Sequence, residues 1–306
     1  VRLILNNASI SNTTTAPIKV LDAKKVILTL ADNTTNTITD SSRLSTEEDY
    51  SAAIYSKEDL IINGNGTLNV NAGYRNGIKS TDDCIIVSGT LNITSTEDGI
   101  IGKDLCGIVA GDININAGSD GIKSTYDTDT TKGNVIIEGG NITIKASNDG
   151  IQAENILVIN DGTINIKTNN GAADTTQTHI DNMDMGRGGF GFNNNKTTTT
   201  TDDTSESRKG IKAGNMLIIN DGDITIDSDD DSVHCNSVIY IYGGTINAAT
   251  GDDGVHADDL LTVNGGTINI TQCYEGLEAD DIVINDGDIS AVSYTHLRAH
   301  ETLSDL

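Results

Sequence analysis

The sequence predicts an all-β chain wound into a parallel β-helix, a solenoid of about ten coils with a 22-residue period. Three observations carry this. First, one phrase recurs as KGIKAGNMLIINDGDITID (209–227), DSVHCNSVIYIYGGTINAA (231–249) and DGVHADDLLTVNGGTINIT (253–271), with a shorter copy, EGLEADDIVINDGDIS, at 275–290. Its anchors Gly210, Ser232, Gly254 and Gly276 stand 22 residues apart, and a fixed period of 20–50 residues marks a solenoid. Second, apolar residues fall at +1, +7, +9, +14 and +16 from each anchor, as Ile211, Leu217, Ile219, Ile224 and Ile226 do. The last two pairs alternate with strand spacing, each about one short strand long. Third, Asn-Asp-Gly or Gly-Gly separates them, as at Asn220–Gly222 and Gly243–Gly244, which is turn chemistry. Helical spacing is absent, and the frame of a leucine-rich repeat is missing.

In chain order, residues 1–50 hold less regular coils, and the register becomes clear at Ala53. Anchors follow at Gly77, Gly99, Gly121, Gly150 and Gly210 in steps of 24, 22, 22, 29 and 60. Two insertions are therefore expected. A small one lies near Tyr126–Lys132, and a large low-complexity one at 169–208 loops out because it cannot bury a core. Coils stacked at ~4.8 Å make a rod roughly 45 Å long. Residues 1–291 read as one domain, since a solenoid adds coils to one continuous core. The repeat dies in the tail 292–306, which reads as a foreign, adapter-like segment and is set aside. The start Val1-Arg2-Leu3 falls in mid-strand and reads as a fragment.

Composition narrows the partners. A net charge of −26 opposes nucleic acid and anionic lipid and favours cations. No apolar run reaches the ~18 residues of a membrane span. Cys84 and Cys106 both sit at +7, one coil apart, so they are either a disulfide or two buried thiols.

Stacking turns sequence columns into surface stripes. The position before the anchor reads Asn76, Asp98, Asp120, Asp149, Lys209, Asp231, Asp253, Glu275. Asp230 and Asp252 precede it by one, and Asp258, Asp259, Asp280 and Asp281 follow four and five places after the anchor. One acidic column needs only turns and solubility. Several converging on 230–281 supply the clustered hard oxygens that Ca²⁺ takes. The calcium ligand candidates are Asp230, Asp231, Asp252, Asp253, Asp258 and Glu275. At +2, an outward position, stand Lys79, Ile101, Lys123, Gln152, Lys212, His234, His256 and Glu278. His234 and His256 have the spacing for a transition metal, but hydrogen bonding to acids or sugar hydroxyls is the favoured reading. With Tyr274 nearby, Lys212, His234, His256 and Glu278 make the candidate carbohydrate-binding stripe.

The phrases SAAIYSKEDLIINGNGTLNVNAGYRNGIKSTDD (51–83), the Gly-rich insertion followed by KGIKAG (209–214), and DSDDDSVH, GDDGVHADD, GGTINI and YEGLEADD within 229–281 resemble a family of secreted bacterial carbohydrate-binding proteins. The resemblance covers about 1–290. It implies a right-handed parallel β-helix shaped like pectate lyases, calcium binding, affinity for cellulose and pectic acid, and an extracellular or cell-surface location. The chain departs from the pattern at Ser232, where the other full copies carry Gly. The expected function is thus non-catalytic, calcium-dependent binding of polysaccharide from plant cell walls. With two Phe and no Trp for sugar stacking, acidic glycans are favoured over cellulose. The alternatives are a calcium-dependent polysaccharide lyase with Lys212, near Asp231, as its base, and a structural cell-surface spine.

Overall fold

A computed structural model describes residues 1–41, 50–172 and 207–293, with the backbone of 298–299. Most of the large insertion lies outside these residues. Strands pair only in parallel, in three eleven-stranded sheets, and each coil adds one short strand to each sheet. One coil shows the plan. Met216–Ile219 joins the first sheet, Asp223–Ser228 the second, and Ile211–Ala213 the third. The architecture is the parallel β-helix that the period predicts.

The core follows from the alternation. Leu217, Ile219, Ile224, Ile226 and Ile211 point inward and are fully buried. Each stacks on its equivalent one coil away, as Leu157, Leu217 and Ile239 do. The coils flanking the large insertion pair directly, Ile166 with Ile226 and Ile151 with Ile211. The solenoid therefore continues across residues that are 60 apart in sequence. In the tail, Arg298–Ala299 pairs with Leu277–Ala279, so two residues read as foreign extend the third sheet. Cys84 and Cys106 are register partners, free and buried; burial pushes both thiols up, Cys106 to about 12.

The anchor glycines have a steric cause. A Cβ at Gly210 would lie 2.4 Å from Ile226 Cγ2 and 2.5 Å from the Ser232 carbonyl oxygen. The equivalent isoleucine crowds Gly77, Gly99, Gly150 and Gly254 from +16, and Gly121 from Ile144, seven places later because of the small insertion. Ser232 escapes because its +16 residue is Ala248, not isoleucine. Its hydroxyl meets that of Ser228 at 3.2 Å inside the coil. The departure at Ser232 is thus matched within its own coil.

Candidate cation and glycan site

The acidic column has a structural role that composition did not disclose. At this corner the coil turns, and each carboxylate reaches up to the next coil. Oδ1 of Asn76 accepts the Asp98 N–H at 3.0 Å, Asp98 accepts that of Asp120 at 3.1 Å, and Asp120 that of Asp149 at 2.9 Å. Asp149 then takes the Lys209 N–H at 2.7 Å. Above the lysine the ladder resumes, from the Asp253 N–H to Asp231 and from the Glu275 N–H to Asp253, both at 3.1 Å. Buried backbone donors need acceptors, and a short acidic side chain supplies one per coil. The acids are buried accordingly, Asp149 and Asp231 each 1% exposed.

The second oxygen of Asp120 and of Asp149 faces a lysine of the +2 column. Lys123 Nζ lies 2.6 Å from Asp120 Oδ2. Lys212 Nζ lies 3.9 Å from Asp149 and donates to Ser207 Oγ at 3.2 Å. Lys212 therefore reaches down to Asp149 of the coil below, not up to Asp231 as the lyase alternative expects. Lys209 fills that place, bonding Asp231 at 2.7 Å and Asp230 at 2.9 Å.

Asp231 is thereby saturated. Its Oδ2 also meets His234 Nδ1 at 2.8 Å. Burial opposes its ionisation, but Lys209 and the two histidines outweigh burial and hold the carboxyl well below the usual range. His234 is a correction to the sequence reading. It stands at the outward +2 position yet is buried, because Asp231 on one side and Asn236 Oδ1, 2.9 Å from Nε2, close over the ring. Its ring meets His256 edge to face at 4.8 Å.

One coil higher the charges no longer balance. Asp253 is buried, and burial together with Asp231 and the Glu278 carboxyl facing it pushes its pKa up to about 11. His256 is half-buried; burial works against its proton, but Asp231, Glu278 and Asp258 raise its pKa overall. Glu275 is buried, and Tyr274 sits at the rim, its N–H donating to the Asp252 carbonyl oxygen at 2.7 Å. Outside the corner, Asp258, Asp259, Asp280 and Asp281 are exposed. They form a two-by-two block across adjacent coils, since Asp280 and Asp281 N–H donate to the carbonyls of Asp258 and Asp259.

The structure thus gathers Asp231, Asp253, His234, His256, Glu278 and Asp258, and leaves Lys212 one rung below. The role of Lys209 was missed, although its place in the acidic column marked it. The four-residue phrase repeated as DGIK, DSVH, DGVH and EGLE is the signal for pairing between the columns. Tyr240 and Tyr242 stack 6.4 Å apart on the outer face of the first sheet, away from this corner in the third.

Fold and corner together define a solenoid that displays a polar, acid-rich edge along its length, a binding scaffold. The profile of carbohydrate-binding domain-containing proteins matches residues 1–254, and the chain belongs to that family. A carbohydrate-binding domain-containing protein of Acetivibrio thermocellus is 39% identical over 95 residues, 30% of this chain and 33% of the relative. That match spans about a third of the relative's length. Among solved structures, the polysaccharide lyase-like protein from C. thermocellum, a gadolinium derivative, superposes with a TM-score of 0.54 at 36% identity, covering 55% of this chain and 69% of that one. These findings support polysaccharide binding in general.

Proposed function

We propose that this chain is a non-catalytic, extracellular module that binds acidic, pectin-like polysaccharide through calcium. The observation that carries the reading is the exposed block of Asp258, Asp259, Asp280 and Asp281 on two adjacent coils. Four carboxylates there offer hard oxygens, and Ca²⁺ takes six to eight such ligands, leaving positions for the carboxylates and hydroxyls of a uronate chain. Asp252 is half-buried, as Asp230 and Glu278 are. Asp230 and Asp231 fit a calcium ion poorly, because the Lys209 ammonium already lies between them. Asp253 and Glu275 are buried and suit an ion held inside the corner more than one shared with a polymer.

The test is equilibrium binding of polygalacturonate with millimolar calcium and again after chelation. Binding that survives chelation, or that is unchanged in Asp258→Asn/Asp280→Asn, would sink the reading. Catalysis needs a base placed against the proton beside a uronate carboxylate. Lys212 is engaged by Ser207 and Asp149, and no unsaturated-product absorbance is expected from pectic acid with protein and calcium.

A further inference from the structure

We propose that the corner at coils 253 and 275 is a separate site for a transition-metal ion such as Zn²⁺ or Co²⁺, held by Asp253, His256 and Glu278. The argument begins with distances. His256 Nδ1 lies 3.6 Å from Asp231 Oδ2, 3.6 Å from Asp253 Oδ2 and 3.8 Å from Glu278 Oε2. These are beyond hydrogen-bonding range, yet one nitrogen faces three carboxylates, one from each of three successive coils. Ligand atoms about 2.0–2.2 Å from a tetrahedral ion stand about 3.3–3.6 Å from one another. The donors are thus spaced slightly wider than the edges of such a polyhedron.

The second observation is a missing charge. Lower in the same corner each buried aspartate has a lysine, as Asp120 has Lys123 and Asp231 has Lys209. Asp253 is 4% exposed, its carboxyl meets that of Glu278 and its Oδ2 faces the His256 ring, with no lysine or arginine paired to it among the described residues. Two carboxyls facing each other need a proton or a cation between them. The column that supplies lysine below supplies Glu278 here, so the pattern exchanges a built-in cation for an external one.

The donor set then chooses the ion. Calcium takes oxygen ligands alone, whereas imidazole suits zinc, cobalt, nickel and copper. One imidazole with carboxylates matches zinc chemistry. Asp258 lies 3.5 Å from His256 Nε2 and orients the ring from behind, the outer-shell carboxylate common at metal-ligating histidines. Of the exposed acidic block only Asp258 touches this corner, and it does so as a partner of the His256 ring rather than as a ligand.

The experiment uses the whole chain, stripped by chelation and returned to millimolar calcium to fill the oxygen site. Cobalt(II) is titrated and followed by its visible d–d absorbance, then displaced with zinc. One equivalent that His256→Gln abolishes, and that Glu278→Gln weakens at least ~10-fold, is the expected result, with circular dichroism showing that both variants keep the β-helix. No absorbance change, or a spectrum unaltered in His256→Gln, overturns the site; the latter would place the metal on other histidines of the chain. The readout involves no glycan, so failure of polygalacturonate binding would leave this result standing, and the reverse holds too.

Discussion

The same corner of the solenoid is built in two ways along its length. In coils 98–149 buried aspartates hold the backbone ladder and lysines answer their charge, as Asp120 and Lys123 do at 2.6 Å. In coils 231–278 the ladder persists, but the answering column changes from Lys212 to His234, His256 and Glu278. The backbone role of the carboxylate is therefore constant, while the supply of positive charge declines until a carboxyl faces a carboxyl. A stretch with balanced pairs is scaffold, and a stretch where balance is withdrawn is where an external cation has work to do.

The comparison breaks most sharply at its boundary. Asp231→Ala removes the acceptor for the Asp253 N–H and for the buried His234 ring, and leaves Lys209 with Asp230 as its one carboxylate of two, so it should destabilise by about 3 kcal/mol, the lower end of the cost of breaking a buried pair. Chemical denaturation measures this, and a loss below about 1 kcal/mol would show that Lys209 is not held as described. Calcium added to chelated protein should stabilise by about 2.7 kcal/mol at a hundredfold excess over its Kd, read as a rise in Tm that is smaller in Asp258→Asn/Asp280→Asn.

Next comes the steric pairing of Ser232 with Ala248. Ala248→Ile restores the side chain that forces glycine at other anchors and should cost about 1–3 kcal/mol by overpacking. Ser232→Gly in the same chain should recover most of the loss. An additive double mutant would show that the two residues do not meet.

Asp253→Asn should behave opposite to Asp231→Ala in metal-free protein. It keeps an acceptor for the Glu275 N–H and removes a carboxyl that folding must hold protonated against burial, Asp231 and Glu278, so stability near neutral pH should hold or rise by about 1 kcal/mol. A marked loss of stability would mean that Asp253 is already neutralised from within the chain.

The smallest effect is that of pH. Burial raises the Asp98 carboxyl, with Asp120 adding to it, and burial likewise raises Asp149. Their folded forms hold the proton more tightly than the unfolded chain, so this contribution is complete below the unfolded value near 4 and is lost as pH rises through the raised folded values. The His256 shift has the same sign, its contribution present below about 6.5 and lost above. Chelated protein should melt at a higher temperature at pH 5 than at pH 7.5, and Asp98→Asn should shrink the difference. A higher Tm at pH 7.5 would contradict the shifts.

Much of this molecule was determined by sequence alone. The 22-residue step, the alternation of Leu217 with Ile219 and of Ile224 with Ile226, and the Gly turns specify three short strands per coil, because one inward residue per rung must stack on its equivalent. That geometry also placed Lys212, His234, His256 and Glu278 in one column, as the strand pairing shows. What only the tertiary structure decided is how the two columns touch. Whether Lys209 or Lys212 neutralises Asp231 depends on the direction in which each side chain leaves the corner. Whether His234 is open to solvent depends on Asp231 and Asn236 closing over it. A column assigns the coil and the face, but charge balance is settled over 3–4 Å between side chains of neighbouring coils, and periodicity carries no record of that distance.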